Sequence, residues 1–166
     1  MRVGISGHQR LREQDAWEWV TREMRNCLAA QPSPLFGITS LALGADTIFA
    51  ELVLEMNGSL EVVLPFPEYE QQFFTDDAKR TYRRLLASAS RVEVLQRQAN
   101  EELAYYMAGQ RVVDVSELMI VVWDGRPAAG LGGTGDIAQY AQRCQKPMIH
   151  LNPITRTVSK CFAQEG

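Results

Sequence analysis

The sequence predicts an α/β fold: a doubly wound, mostly parallel Rossmann-like sheet with helices on both faces. Three observations carry that reading. Short apolar runs alternate with amphipathic stretches of helical period along most of the chain. The run Leu118-Met119-Ile120-Val121-Val122-Trp123 is apolar without interruption, as a central parallel strand covered on both faces must be. Glycines and prolines punctuate these segments instead of gathering into a linker, and no internal repeat breaks the pattern.

Residues 1–6 read as the first strand, ended by the Gly7-His8 turn. A helix follows whose Trp17, Val20, Met24, Cys27 and Leu28 share one stripe, with Glu13 and Asp15 placed to favour its positive end. Residues 35–39 form a second strand leading through Leu43-Gly44-Ala45-Asp46 into a helix with Ile48, Phe49, Leu52, Val53 and Met56 on one face. Asn57-Gly58 tolerate positive φ and end that helix, and residues 60–64 are a short buried strand stopped by Pro65. Pro65 and Pro67 each fix their own φ and disfavour helix in the preceding residue, so residues 65–69 are irregular and form a candidate wall or lid.

Next come a helix carrying Ala78, Tyr82, Leu85, Leu86 and Ala89, a strand over 91–95 and a longer helix over 100–115. The central strand over 118–123 exits at Asp124-Gly125, and the loop 126–133 leads into a helix with Ile137, Tyr140, Ala141 and Cys144 at helical spacing. Residues 147–151 are the last strand. Residues 1–153 thus read as one domain and 154–166 as a polar tail.

The 166 residues, 46% hydrophobic and 22% charged, are enough to bury one sizeable core. A net charge of −3 without a Lys/Arg block disfavours extended nucleic-acid binding, while one small anionic ligand is compatible with it. The apolar stretch at the N-terminus is too short for a signal-peptide core, so a cytoplasmic protein without a membrane segment is expected. Cys27, Cys144 and Cys161 are odd in number and lack metal-type spacing; two fall in helical stripes, so reduced, mostly buried thiols and no metal site are expected. Assembly into a homo-oligomer is left open.

Open parallel sheets bind ligands beyond the carboxyl ends of their strands, near the point where strand order reverses. The strand-exit loops are therefore where chemistry is sought. The clearest is Gly130-Leu131-Gly132-Gly133-Thr134-Gly135-Asp136, between the central strand and a well-patterned helix. Gly132, Gly133 and Gly135 let backbone N–H groups approach a phosphate at the helix's positive end, and the Thr134 hydroxyl adds a donor. The competing reading is a flexible connection in which Thr134 or Asp136 caps the helix.

At the first strand's exit, Ser6, His8 and Arg10 offer donors around Gly7. This is not the dinucleotide fingerprint, because Gly4 lies inside the strand and no third glycine follows in the turn. Arg10 is the better anion contact and His8 the weaker, since a lone histidine is more often structural than a catalytic base. Gly44 and Asp46 form a second wall in one reading, and a packing turn with a dipole-stabilising acid in the other. Asp124 is either a turn residue or a carboxylate for ribose hydroxyls. Trp123, Phe66 and Tyr69 can stack on a base but are more often core.

Taken together, GISGHQR, TSLALGAD, VVLPFPEYEQQF and VVDVSELMIVVWDGRPAAGLGGTGDI resemble, in order from Arg2 to Pro153, the SLOG superfamily. That Rossmann-like group includes the LOG phosphoribohydrolases, the Smf/DprA proteins and ligand-sensing domains of some channels. The resemblance implies binding of nucleotides or related signals, with the turn Gly132 to Gly135 meeting the phosphate and no separate cofactor. LOG enzymes carry a pattern like GGxGTxxE, whose threonine and glutamate fall at Asp136 and Gln139 here. Cleaving an N-glycosidic bond needs a carboxylate, which Gln139 cannot supply. Asp136 is the one candidate catalytic acid, although an acid at a phosphate turn also repels the ligand.

The expected function is binding or sensing of a nucleotide-derived phosphorylated ligand. The alternative is a phosphoribohydrolase acting on nucleoside monophosphates: Gln139 speaks against it, and a chain of this length with no fused effector speaks for it. A single-stranded nucleic-acid binder is the third reading, opposed by the acidic balance.

Overall fold

The computed structural model describes residues 1–161. Among them, β1 (Arg2–Gly7), β2 (Phe36–Thr39), β3 (Ser59–Leu64), β4 (Arg91–Val94), β5 (Leu118–Val122), β6 (Met148–Asn152) and β7 (Thr157–Cys161) form one sheet in the order β4-β3-β2-β1-β5-β6-β7. Every pairing is parallel except β6 with β7, which is antiparallel. The helices are α1 (Gln14–Ala29), α2 (Ala45–Glu55), α3 (Asp76–Ala87), α4 (Glu101–Val115) and α5 (Thr134–Arg143). This is the expected doubly wound α/β architecture.

The strand order follows from how each apolar set is buried. All five residues of β5 are buried, and they alternate: Leu118, Ile120 and Val122 join the core under α1, α2 and α3, while Met119 and Val121 join the core under α4 and α5. β1, β2, β3 and β4 follow one another outward on one side. α4 then carries the chain back to place β5 against the other side of β1. The order reverses between β1 and β5, and the crevice beyond their carboxyl ends is where such sheets accept ligands.

Three expectations change. The stretch read as a polar tail contains β7, which pairs with β6 from Met148↔Cys161 to Asn152↔Thr157; its five residues are all exposed, so it has no apolar face to mark it as a strand. Residues 162–166 lie outside the described residues. The thiols are not mostly buried: Cys27 is half-buried, and Cys144 and Cys161 are exposed. Cys144 follows the last turn of α5, whose buried face is Ile137, Ala138 and Ala141. On α1 the deeply packed tryptophan is Trp19, with Trp17 only partly buried against the core. No helix among the described residues is long and apolar enough to cross a membrane.

Candidate functional site

A cavity of about 470 Å³ opens beyond the carboxyl ends of β1, β2 and β5. Its size is that of a site for one small molecule. β1 and its exit contribute Ser6, Gly7 and His8; the first turn of α2 contributes Asp46; the exit of β5 delivers Asp124; and the turn into α5 adds Gly132, Gly133, Thr134 and Gly135. Arg10, Gly44 and Asp136 do not line it.

The first-strand loop is pinned on both sides. The His8 N–H donates to the Val122 carbonyl at 3.0 Å, and the Ala45 N–H donates to the His8 carbonyl at 3.1 Å. A β-carbon on Gly7 would lie 2.5 Å from the Ala45 β-carbon and 2.8 Å from that of Val122, so glycine lets β1 emerge between its neighbours. Gly44, expected beside the ligand, serves the same packing: at φ +78° its α-carbon sits against the His8 and Gln9 carbonyls, 2.6 Å from where a β-carbon would be. Arg10 is exposed.

Asp46 is the most constrained group in the cavity wall. It is 5% exposed, and its Oδ2 accepts the Thr39 hydroxyl at 2.9 Å, the Ser40 N–H at 3.1 Å and the Ala42 N–H at 3.4 Å. These bonds fold residues 39–46 into a tight turn in which Leu41, buried, takes φ +56°. Burial pushes the Asp46 carboxyl up to about 6, against the three donors that favour its charge.

Across the cavity, Gly132 takes φ +87° and lies so close to α4 that a β-carbon would stand 2.8 Å from the Tyr106 backbone nitrogen. Asp136, expected as a catalytic acid, instead accepts the Gly132 N–H on Oδ2 at 3.0 Å and so closes the turn. Gln139 is exposed. Gly133 is the N-cap of α5 and has no side chain to cap it, so among the described residues the Thr134 and Gly135 N–H groups have no acceptor. They sit at the positive end of α5 and on the cavity wall, where an anion would complete them.

Asp124 organises the loop that covers this end. Its Oδ1 accepts the Arg126 N–H at 3.0 Å, and the Trp123 indole donates to the Arg126 carbonyl at 2.7 Å. Burial alone would raise the Asp124 carboxyl, but the Arg126 N–H, His8 and the Arg126 charge outweigh it and hold the group below its ordinary value.

Several lining residues escaped the sequence reading. Arg126 lies in the connecting loop, and Ser40 and Gln9 flank the first two exits. Tyr105, Ala108, Gly109 and Val112 of α4 line the cavity at helical spacing. That spacing was visible, but only the return of α4 across the sheet aims it at the site. Tyr69 and Pro65 complete the wall from the β3 exit, as the two-proline segment suggested. Tyr69 is buried and packs edge-on against Phe66, Phe73 and Tyr105 with ring centroids 5.8, 5.4 and 6.2 Å away. Its phenol is raised well above its ordinary value by burial and by the charge of Asp46, so it is protonated.

No protein-family model matches the chain, and no curated protein matches it. Solved structures do. DNA processing protein A from Streptococcus pneumoniae aligns with a TM-score of 0.61 at 14% identity over 90% of this chain, which spans about half (49%) of that protein. TM1055 aligns with a TM-score of 0.55 at 13% identity, over 89% of this chain and 71% of TM1055. The molybdenum cofactor carrier protein from Chlamydomonas reinhardtii aligns with a TM-score of 0.52 at 14% identity, over 91% of this chain and 76% of that one. This chain therefore has the α/β, Rossmann-like fold that these structures share.

Proposed function

We propose that this protein binds a nucleotide or nucleotide-derived phosphorylated ligand at the carboxyl edge of its sheet, as a binding or sensing protein. The observation that carries the reading is the uncapped N-terminus of α5, whose Thr134 and Gly135 N–H groups lack acceptors and line the cavity at the strand-order reversal. Arg126, an exposed cation, is in the loop that lines the same cavity. Asp124, ionised at neutral pH, suits ribose hydroxyls next to the phosphate. One of the structural neighbours is itself named a carrier of a cofactor, which agrees with a holding role.

Binding is favoured over glycosidic cleavage by the placement of the acids. Asp136 and Gln139 do not line the cavity, so the α5 turn presents no carboxylate to it. The test is calorimetric titration with nucleosides and their 5′-monophosphates, together with native mass spectrometry of the freshly purified protein. Affinity that depends on the phosphate, without release of free base, is the expected result. Failure of every nucleotide to bind would overturn the reading, and steady base release would replace it with the hydrolase.

A further inference from the structure

We infer that Asp46 reads the exocyclic amino group of a nucleobase, making the end of the cavity far from α5 a pocket for an amino-bearing base. This inference rests on the nucleotide reading and deepens it. All three hydrogen bonds to Asp46 end on Oδ2. Among the described residues nothing donates to Oδ1, yet no side-chain oxygen or nitrogen sealed from solvent lacks a partner. Oδ1 of this 5% exposed residue is therefore open, and the space it opens on is the cavity that Asp46 lines. A carboxylate oxygen held this way accepts hydrogen bonds and cannot donate them.

The surroundings fit a flat ring. Asp46 shares its end of the cavity with Pro65 and Tyr69 from the β3 exit, and Tyr105 of α4 packs against Tyr69. Tyr69 is fixed by its aromatic neighbours, so this end is a preformed aromatic wall beside a buried acceptor. The distance also fits. Asp46 follows β2, while the α5 turn follows β5; β1 lies between those strands, so their ends are two strand spacings, roughly 10 Å, apart. That spans a nucleoside monophosphate from phosphate to base edge and is too long for phosphate to ribose hydroxyl, the task left to Asp124.

The alternative is that Asp46 only staples its turn. Adenosine 5′-monophosphate and purine riboside 5′-monophosphate, which differ only by the exocyclic amino group, separate the two. The wild-type protein is expected to bind the amino form about ten- to a hundredfold more tightly, the effect of a hydrogen bond to a buried charged acceptor. In Asp46→Asn the amide oxygen keeps the three turn donors and the amide nitrogen faces the cavity, so the turn is preserved while the acceptor becomes a donor. The preference should then vanish. Equal wild-type affinities for the two probes would overturn the inference while leaving nucleotide binding intact. So would a preference that survives in Asp46→Asn, since another group would then read the amine. If neither probe binds the wild type, the nucleotide reading fails and this inference with it.

Discussion

The backbone N–H of Asp124 donates to Nε2 of His8 at 3.1 Å, with Oδ1 of the same aspartate 3.4 Å from that nitrogen. The same ring nitrogen thus meets both the main chain and the carboxylate of Asp124. His8 therefore acts as a clasp between the exits of β1 and β5, the two strands that flank the cavity, and Asp124 is fixed from both directions.

Replacing Asp124 with Ala removes the acceptor of the Arg126 N–H and frees the loop that packs against Gly133 and Gly135. We expect faster amide exchange at residues 125–130 and roughly tenfold weaker binding of a nucleoside monophosphate, since a hydrogen bond to a charged group is worth about 1.5–3 kcal/mol. The Asp124 carboxyl is lowered in the folded protein, so its contribution is complete above the unfolded value near about pH 4 and is lost as pH falls through the lowered one. Hydrogen exchange at pH 7 and calorimetry check this; unchanged exchange in the variant would show that Asp124 does not order the loop.

Asp46 has the opposite sign. Its carboxyl is raised from 3.8 to about 6, so the folded state holds the proton more tightly and stability falls as pH rises from about 4 through 6. Asp46→Asn has no such fall. Relative to wild type, the variant should gain up to about 3 kcal/mol between pH 4 and pH 8, in the absence of ligand. Urea denaturation at both pH values measures the change, and a difference between the two proteins that does not move with pH would mean Asp46 titrates as an exposed acid.

Gly132 separates packing from ligand contact. At φ +87°, and with the Tyr106 backbone nitrogen 2.8 Å from where a β-carbon would stand, Gly132→Ala meets both conformational strain and main-chain overlap. A loss of about 2 kcal/mol or more in unfolding free energy is expected even without ligand. If the variant is as stable as wild type in denaturant, the turn is looser than its contact with α4 implies.

The central strand and the glycine-rich turn were legible because an unbroken apolar run suits little besides a strand covered on both faces, and clustered glycine little besides a close-packed turn. Elsewhere the signals were local and the answer was not. In α1, Trp17 and Trp19 both fit an apolar stripe, and only the packed helix selects Trp19 as the buried one. β7 is exposed along its full length and is held by its pairing with β6, a long-range fact with no composition attached. Asp46 was visible as an acid at a helix start, but its division into one saturated and one open oxygen depends on how residues 39–42 fold around it. Tyr105 joins the site because α4 crosses back over the sheet, which its own periodicity does not contain.

The two arginines near the cavity test the electrostatics of the site. Both are exposed; Arg10 follows β1 in sequence and was the expected anion contact, yet it is away from the cavity lining, whereas Arg126 is among the lining residues. A guanidinium that reaches into the cavity from its lining loop gives a phosphate both directed hydrogen bonds and charge, while one across open solvent is screened within a Debye length of about 8 Å. Arg126→Ala should therefore weaken a nucleoside 5′-monophosphate on the order of tenfold and leave the parent nucleoside nearly unaffected. Arg10→Ala should cost both forms little and equally. Raising the salt concentration should narrow the gap between the nucleotide and nucleoside affinities in wild type but not in Arg126→Ala. Calorimetric titration of the three proteins with both ligands decides the matter: a phosphate-selective loss in Arg10→Ala, with none in Arg126→Ala, would move the anion contact back to the exit of β1.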